Sequence, residues 1–149
     1  MVFRKALTQA ATTLAHMIVK DGEGATHFIE LLVGGAASAG EARRAGKTVA
    51  GSFLVKTAFF GGDPNWGRIL AALGRAGVKM SEDKVSISIN GVPAVRKGLD
   101  TGKEKEAAKA MKAGDVSVRI NLGVGSCEAK VWTTDLSYEY VKINSAYRT

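Results

Sequence analysis

Val85 to Val95 reads VSISINGVPAV, and the fold turns on it. Val85, Ile87 and Ile89 alternate with Ser86 and Ser88, the period of two that marks a half-buried strand. Asn90-Gly91 follows, the strongest short hairpin signal, because both central residues of a type I′ turn need positive φ. The return through Val92-Pro93-Ala94-Val95 contains a proline with no N–H to give to a ladder, so the spacing predicts an edge strand.

Toward the C-terminus, Lys103 to Ala113 is a charged, alanine-rich stretch that predicts a surface helix. Val116, Val118, Ile120 and Leu122 alternate again, Gly123 to Ser126 turns the chain, and Cys127, Ala129 and Val131 return on one face. The tail from Leu136 to Tyr147 carries Tyr138, Tyr140, Val141 and Ile143 and starts as a helix.

Toward the N-terminus the period is helical. Trp66, Ile69, Leu70 and Leu73 form a stripe stopped by Gly74 and Gly77, with Asp63 read as its N-cap and Pro64 in its first turn. Leu54 to Phe60 is mostly apolar, and periodicity does not separate helix from strand there. Ser38 and Glu41 stand at capping-box spacing and predict a helix to about Ala50. Phe28 to Val33, broken only by Glu30, predicts a mostly buried strand closed by Gly34 and Gly35. Phe3, Leu7, Ala10, Leu14, Met17 and Ile18 fall on one helical stripe, which Gly22 and Gly24 end. The sum is α+β, with helices packed on a mainly antiparallel sheet. No repeat, linker or low-complexity stretch divides residues 1–149, which predicts a single domain.

Composition narrows the function classes. With 46% hydrophobic and 23% charged residues the chain is ordinary for a globular protein and not for a disordered one. Eighteen glycines in 149 residues exceed the usual ~7%, while two prolines are few, so the excess points to tight turns and not to a linker. One cysteine excludes an internal disulfide and fits a reducing, cytoplasmic setting. No apolar run approaches the ~20 residues of a membrane span, and the first twenty residues lack the apolar segment of a signal peptide. The net charge of +7 suits an acidic partner, but Arg43, Arg44 and Lys47 lie apart from Lys103, Lys105, Lys109 and Lys112, and no aromatics interleave with them. We read a solvated basic surface and no nucleic-acid partner; salt-sensitive retention on DNA would reverse that.

Few residues invite chemistry. His16, His27 and Cys127, without HxxxH or CxxC spacing, make no transition-metal site. Composition leaves a Ser-His-Asp arrangement open, but no G-x-S-x-G elbow holds a serine. Cys127 reads as a packed thiol. Asp21-Gly-Glu-Gly-Ala-Thr26 gathers two carboxylates and a hydroxyl in a glycine-rich turn. Those carboxylates would pair with an ammonium group; the plainer reading is a helix C-cap with solvated acids, and a phosphate cradle is a third, lacking the P-loop lysine. Gly61 to Arg68, GGDPNWGR, is the other dense cluster. Its plain reading is a capped helix anchored by Trp66, with Asn65 and Arg68 left open as site residues.

Three segments carry a resemblance: DGEGATHF from Asp21, KTAFFGGDPNWGRILAALGR from Lys56, and DLSYEYVKINSAYRT from Asp135 to the end. Together they resemble the glutamate N-acetyltransferase family, the ornithine acetyltransferases of the arginine pathway, from about Val2 to the last residue. The resemblance implies the C-terminal part of that fold's β chain. It also implies ping-pong transfer of an acetyl group from N-acetylornithine to glutamate, with acetyl-CoA as a donor in some members. In that family the precursor cuts itself at an Ala-Thr bond, and the new N-terminal threonine is the acylated nucleophile.

Carried over by position, Glu23, Asn144 and Thr149 correspond to substrate contacts; Asp21, Asn65 and Arg68 stand as candidate support on the reading of the residues alone. Glu23 would receive an ammonium while Asn144 and Thr149 orient the polar ends. The chain departs from the pattern in having no N-terminal threonine, with Ala11-Thr12 inside the first helix, and Ala146 where the family usually has an acid. We therefore expect no catalytic residue, metal or cofactor on this chain, and an oligomer or a partnership with a segment that bears the nucleophile. The alternatives are an inactive amino-acid-binding module and a basic structural domain.

Overall fold

The computed structural model describes residues 1–112 and 114–146. Helix α1 (Val2–Lys20) leads into strand β1 (Phe28–Ala36), then α2 (Ala39–Ala50), α3 (Phe53–Phe60) and α4 (Trp66–Gly74). Strands β2 (Ser86–Ile89), β3 (Val92–Arg96) and β4 (Leu99–Asp100) follow, then α5 (Glu104–Met111), β5 (Val116–Asn121), β6 (Cys127–Thr134) and α6 (Tyr138–Ala146). The sheet order is β4-β3-β2-β5-β1-β6. Only β1 and β5 run parallel; the remaining pairs are antiparallel, so the α+β expectation holds.

The hairpin forms as its sequence directs. Asn90 and Gly91 take φ of 46° and 82°, the left-handed pair a type I′ turn demands. Asn90 also ties the turn to its neighbours: its Oδ1 accepts from Ser117 N at 2.6 Å and its Nδ2 donates to the Ala110 carbonyl at 2.9 Å. The expectation that β3 is an edge strand needs correction, because β4 lies outside it. Yet β4 pairs only with Val95 and Arg96, so the outer side of Pro93 meets no strand and its missing N–H breaks no ladder.

Four further points depart from or complete the expectations from sequence. Leu54 to Phe60 is helical within α3, which buries Val55, Ala58 and Phe59 at helical spacing while Phe53 and Leu54 stay exposed. Helix α4 is capped by Asn65 and not by Asp63. Asn65 Oδ1 accepts from Arg68 N at 3.1 Å, and Asp63 supports the cap by accepting from Asn65 Nδ2 at 3.0 Å. The turn after β5 does not make a hairpin with β6, because β1 lies between the two strands. The surface helix expected to reach Ala113 is observed to Met111, and Ala113 lies outside the described residues.

One face of the sheet carries the core. Ile29, Leu31 and Val33 of β1, Ile87 and Ile89 of β2 and Val118 and Ile120 of β5 pack beneath Val49 of α2, Ile69 and Leu73 of α4 and Met111 of α5. Ser38 caps α2 by accepting from Glu41 N at 3.1 Å, and Gly46 lets that helix settle onto β6, since a Cβ there would lie 2.8 Å from Val131. The opposite face is polar. Leu32, Ser86, Ser88, Arg119, Asn121 and Glu128 line a shallow groove of about 360 Å³ on it.

Helix α1 has the apolar stripe its sequence predicts but no buried residue. Phe3, Leu7, Leu14, Met17 and Ile18 are each at least 58% exposed. The helix is held near its C-terminal end, where the His16 ring meets Trp132 edge-on at 4.4 Å and Lys20 pairs with Asp115 at 2.7 Å. No helix among the described residues is long and apolar enough to cross a membrane.

Candidate functional site

The turn that follows α1 meets α6 and the segment leading into it. Asp21 closes the helix as its C-cap, with its N–H on the Met17 carbonyl at 3.0 Å. Gly24 takes φ of +64°, and Thr26 and His27 lead into β1. Across from this turn stands the segment joining β6 to α6. Asn144 on α6 donates from Nδ2 to Glu23 Oε2 at 2.8 Å, although 121 residues separate the two. The same Nδ2 reaches the Tyr140 carbonyl at 2.9 Å, leaving the amide's Oδ1, an acceptor, as its remaining polar atom. A carboxylate and an amide oxygen, both on exposed residues, make an acceptor pair suited to an ammonium group.

Beneath this pair lies a buried carboxylate. Asp135 is 3% exposed and accepts from Thr26 N at 2.8 Å, from His27 N at 3.0 Å and from the Thr26 hydroxyl, while His27 Nδ1 lies 3.3 Å away. Ser137 Oγ donates to the Gly24 carbonyl at 2.5 Å and accepts from Tyr140 N at 3.3 Å, which caps α6. Hydroxyl, imidazole and carboxylate are all present here, but they do not form a nucleophilic triad. A triad sets the hydroxyl on one ring nitrogen, which takes its proton, and the carboxylate on the N–H of the other. Here the Thr26 hydroxyl donates directly to Asp135, and both groups face the same nitrogen, His27 Nδ1.

Burial alone would raise the Asp135 pKa. The hydrogen bonds from the Thr26 hydroxyl, the two backbone N–H groups and the His27 ring outweigh it and hold the group below the 3.8 of a free aspartate. A folded-state pKa below the unfolded value means that the carboxylate's contribution to stability is full above pH 3.8 and is lost as pH falls through the lower folded value. Urea unfolding of the chain between pH 5 and 3 is expected to show a falling midpoint, with a shallower fall in Asp135→Asn. Parallel profiles for the two proteins would count against the assignment. Burial also lowers the Lys56 pKa, opposed by the nearby Asp135 charge.

The other sequence-derived candidates sit as follows. Asp21 is exposed at the end of α1. Asn65 is engaged as a helix cap, and Arg68 donates from Nη1 to the Leu54 carbonyl at 2.8 Å, tying α4 to α3. Their hydrogen bonds stay within that corner. Helix α3 links the corner to the site through the Lys56 carbonyl, which accepts from Leu136 N at 3.3 Å, and through Phe60, whose ring stands edge-on to Tyr138 of α6 at 5.3 Å. Thr149 lies outside the described residues. Among the described residues no three His, Cys, Asp or Glu side chains gather as metal ligands. Reading the sequence singled out neither Asp135 nor Ser137; each serves a turn more than a hundred residues away, which no local spacing signals.

The ArgJ family model matches residues 1–149. The arginine biosynthesis bifunctional protein ArgJ of Syntrophotalea carbinolica is 49% identical over 149 residues, covering 99% of this chain and 38% of its own. That of Methylococcus capsulatus is 50% identical over 150 residues, covering 99% and 37%. The chain thus spans less than two-fifths of the length of these curated relatives. The crystal structure of the arginine biosynthesis bifunctional protein from Bacillus halodurans superposes with a TM-score of 0.94 at 43% identity, covering 97% of this chain and 69% of that one. The sequence agrees over residues 1–149 and the architecture over 97% of the chain, and the protein belongs to the ArgJ family.

Proposed function

We propose that residues 1–149 form one domain, the C-terminal part of an acetyltransferase that moves an acetyl group from N-acetylornithine to glutamate. The observation that carries this reading is the 2.8 Å contact between Asn144 and Glu23, which joins the two segments most like the family's substrate site. In this reading Glu23 receives the amino acid's ammonium, Asn144 accepts a hydrogen bond through Oδ1, and Thr149 completes the set. A charge-assisted bond of this kind is worth ~1.5–3 kcal/mol. The attacking threonine belongs to a segment outside this chain. Its hydroxyl adds to the acetyl carbonyl, the ornithine amine leaves with a proton, and the glutamate amine then takes the acetyl group from the acyl-threonine. Acetyl-CoA enters as an alternative donor, a substrate and not a resident cofactor.

The exposed stripe of α1 supports a partner, because an apolar face of that size is normally covered in an assembly. We take the partner to be the remainder of the same enzyme, within an oligomer.

The test is acetyl transfer from N-acetylornithine to glutamate. The purified chain alone is expected not to turn over, and its assembly with the threonine-bearing segment is expected to do so. In that assembly Glu23→Gln weakens amino-acid binding by more than about tenfold, the equivalent of ~1.4 kcal/mol. Turnover by the chain alone would place the nucleophile here after all. Unchanged binding in Glu23→Gln removes that residue's role, and binding of ornithine without turnover in any assembly favours an inactive binding module.

A further inference from the structure

We propose that Asp135 is a positioning residue: it clamps the turn after α1 to the segment leading into α6, and so holds Glu23 against Asn144. The inference rests on the site reading above. Its basis is that one buried side chain governs both arms of the acceptor pair. On the first arm, the Asp135 carboxylate, 0% exposed, fixes the N–H groups of Thr26 and His27, just beyond Gly24 and Glu23. On the second arm, the chain runs from Asp135 through Leu136, whose N–H bonds the Lys56 carbonyl at 3.3 Å, to Ser137 at the start of α6. Asn144 lies two turns further along that helix. The arms are then closed on each other by Ser137 Oγ on the Gly24 carbonyl.

The chemistry calls for a carboxylate at this position. Two backbone N–H groups and the Thr26 hydroxyl all donate toward it, and an ionised carboxylate is acceptor-only with room for about four hydrogen bonds. An asparagine that kept both N–H groups on its oxygen would turn its NH₂ toward the Thr26 hydroxyl, which would have to reverse from donor to acceptor. Burying a charge is costly, and an apolar residue would fill the volume at less expense in desolvation. The carboxylate is retained for the geometry it imposes on the turn.

A residue that only stabilised the fold would leave the geometry of the pair unchanged in the molecules that remain folded. The test therefore reads the pair itself. In the NMR spectrum of this chain, Glu23→Gln is expected to shift the Asn144 side-chain amide, because that amide donates to the Glu23 carboxylate. In an Asp135→Asn background the same substitution should move the amide by less than about a third as much, while the amides of the Asn90-Gly91 hairpin stay in place. Ser137→Ala, which removes one closing bond and no buried charge, is the second variant should Asp135→Asn fail to fold, and the same loss of coupling is expected. Asp135→Glu should restore part of it.

In the assembled enzyme, Asp135→Asn should raise the amino-acid KM about tenfold and add less than about twofold in the Glu23→Gln background, with kcat falling less than KM rises. Full coupling of the Asn144 amide to Glu23 in folded Asp135→Asn or Ser137→Ala overturns the proposal. An unaltered KM in Glu23→Gln alone, with the amide coupling still dependent on Asp135, would instead count against the substrate site and leave the clamp standing.

Discussion

Replacing Gly24 by alanine is expected to unseat α6 and take Asn144 away from Glu23. The position has φ of +64°, where an L side chain costs roughly 1–2 kcal/mol before any contact is counted. The contacts are worse. A Cβ built there would stand 2.6 Å from Tyr140 N, 3.0 Å from Ser137 Oγ and 3.1 Å from Glu139 C. Two of those atoms are backbone within the first turn of α6, so relief comes only by moving the helix.

Helix α6 buries no residue, and little else resists that movement. The expected results are loss of amide protection through Tyr138–Ala146, loss of the Glu23–Asn144 contact, and a rise of more than about tenfold in amino-acid KM in the assembled enzyme. The sheet amides should keep most of their protection. If α6 stays as protected in Gly24→Ala as in the unaltered protein, the close packing of turn and helix is not what holds it.

The second large effect lies in the core. Leu31→Ala should destabilise the domain by about 3–4 kcal/mol. Leu31 is 0% exposed and lies on β1, with β5 on one side through Val118 and β6 on the other through Val131. A strand flanked on both sides cannot move toward the cavity without disturbing two ladders, which keeps the cost above the lower end of the range for such truncations. Against a typical total of ~5–15 kcal/mol, the loss should appear as a clear drop in the urea midpoint at unchanged slope. A change below about 1 kcal/mol would mean that the core collapses around the site.

The features written in local chemistry were legible in the sequence. The type I′ turn needs only Asn90 and Gly91, and the cap of α2 only Ser38, so each could be read without knowing its neighbours. Asp63 misled because it sits at the right kind of position, but Asn65, two residues on, is the one whose oxygen meets the Arg68 N–H. Leu54 to Phe60 stayed ambiguous because a short, mostly apolar run, with only Lys56 and Thr57 polar, carries too little period; its form is decided by which side the core covers. Strand neighbours were illegible for a different reason. The placing of β1 between β5 and β6 depends on residues far apart in the chain, and the two-residue β4 leaves too short a pattern to see.

At the site, Glu23 and Asn144 were reached through resemblance, and their 2.8 Å contact is something neither segment states alone. Asp135 looked like one more polar residue after a strand. Its importance comes from burial and from donors on the far side of the fold.

The position of β1 has a consequence for the growing polypeptide. This strand is synthesised well before both its neighbours: β1 ends at Ala36, while β5 starts at Val116 and β6 at Cys127. At roughly 5–20 residues per second it must wait several seconds with both ladder edges open. The segment Phe28-Ile-Glu-Leu-Leu-Val33 is apolar enough to seek the wrong mate in that interval. Its one acid, Glu30, interrupts the run during synthesis and is later paired with Lys130 at 3.0 Å while accepting from the Trp132 indole N–H at 3.0 Å, both partners delivered by the strand that ends the wait.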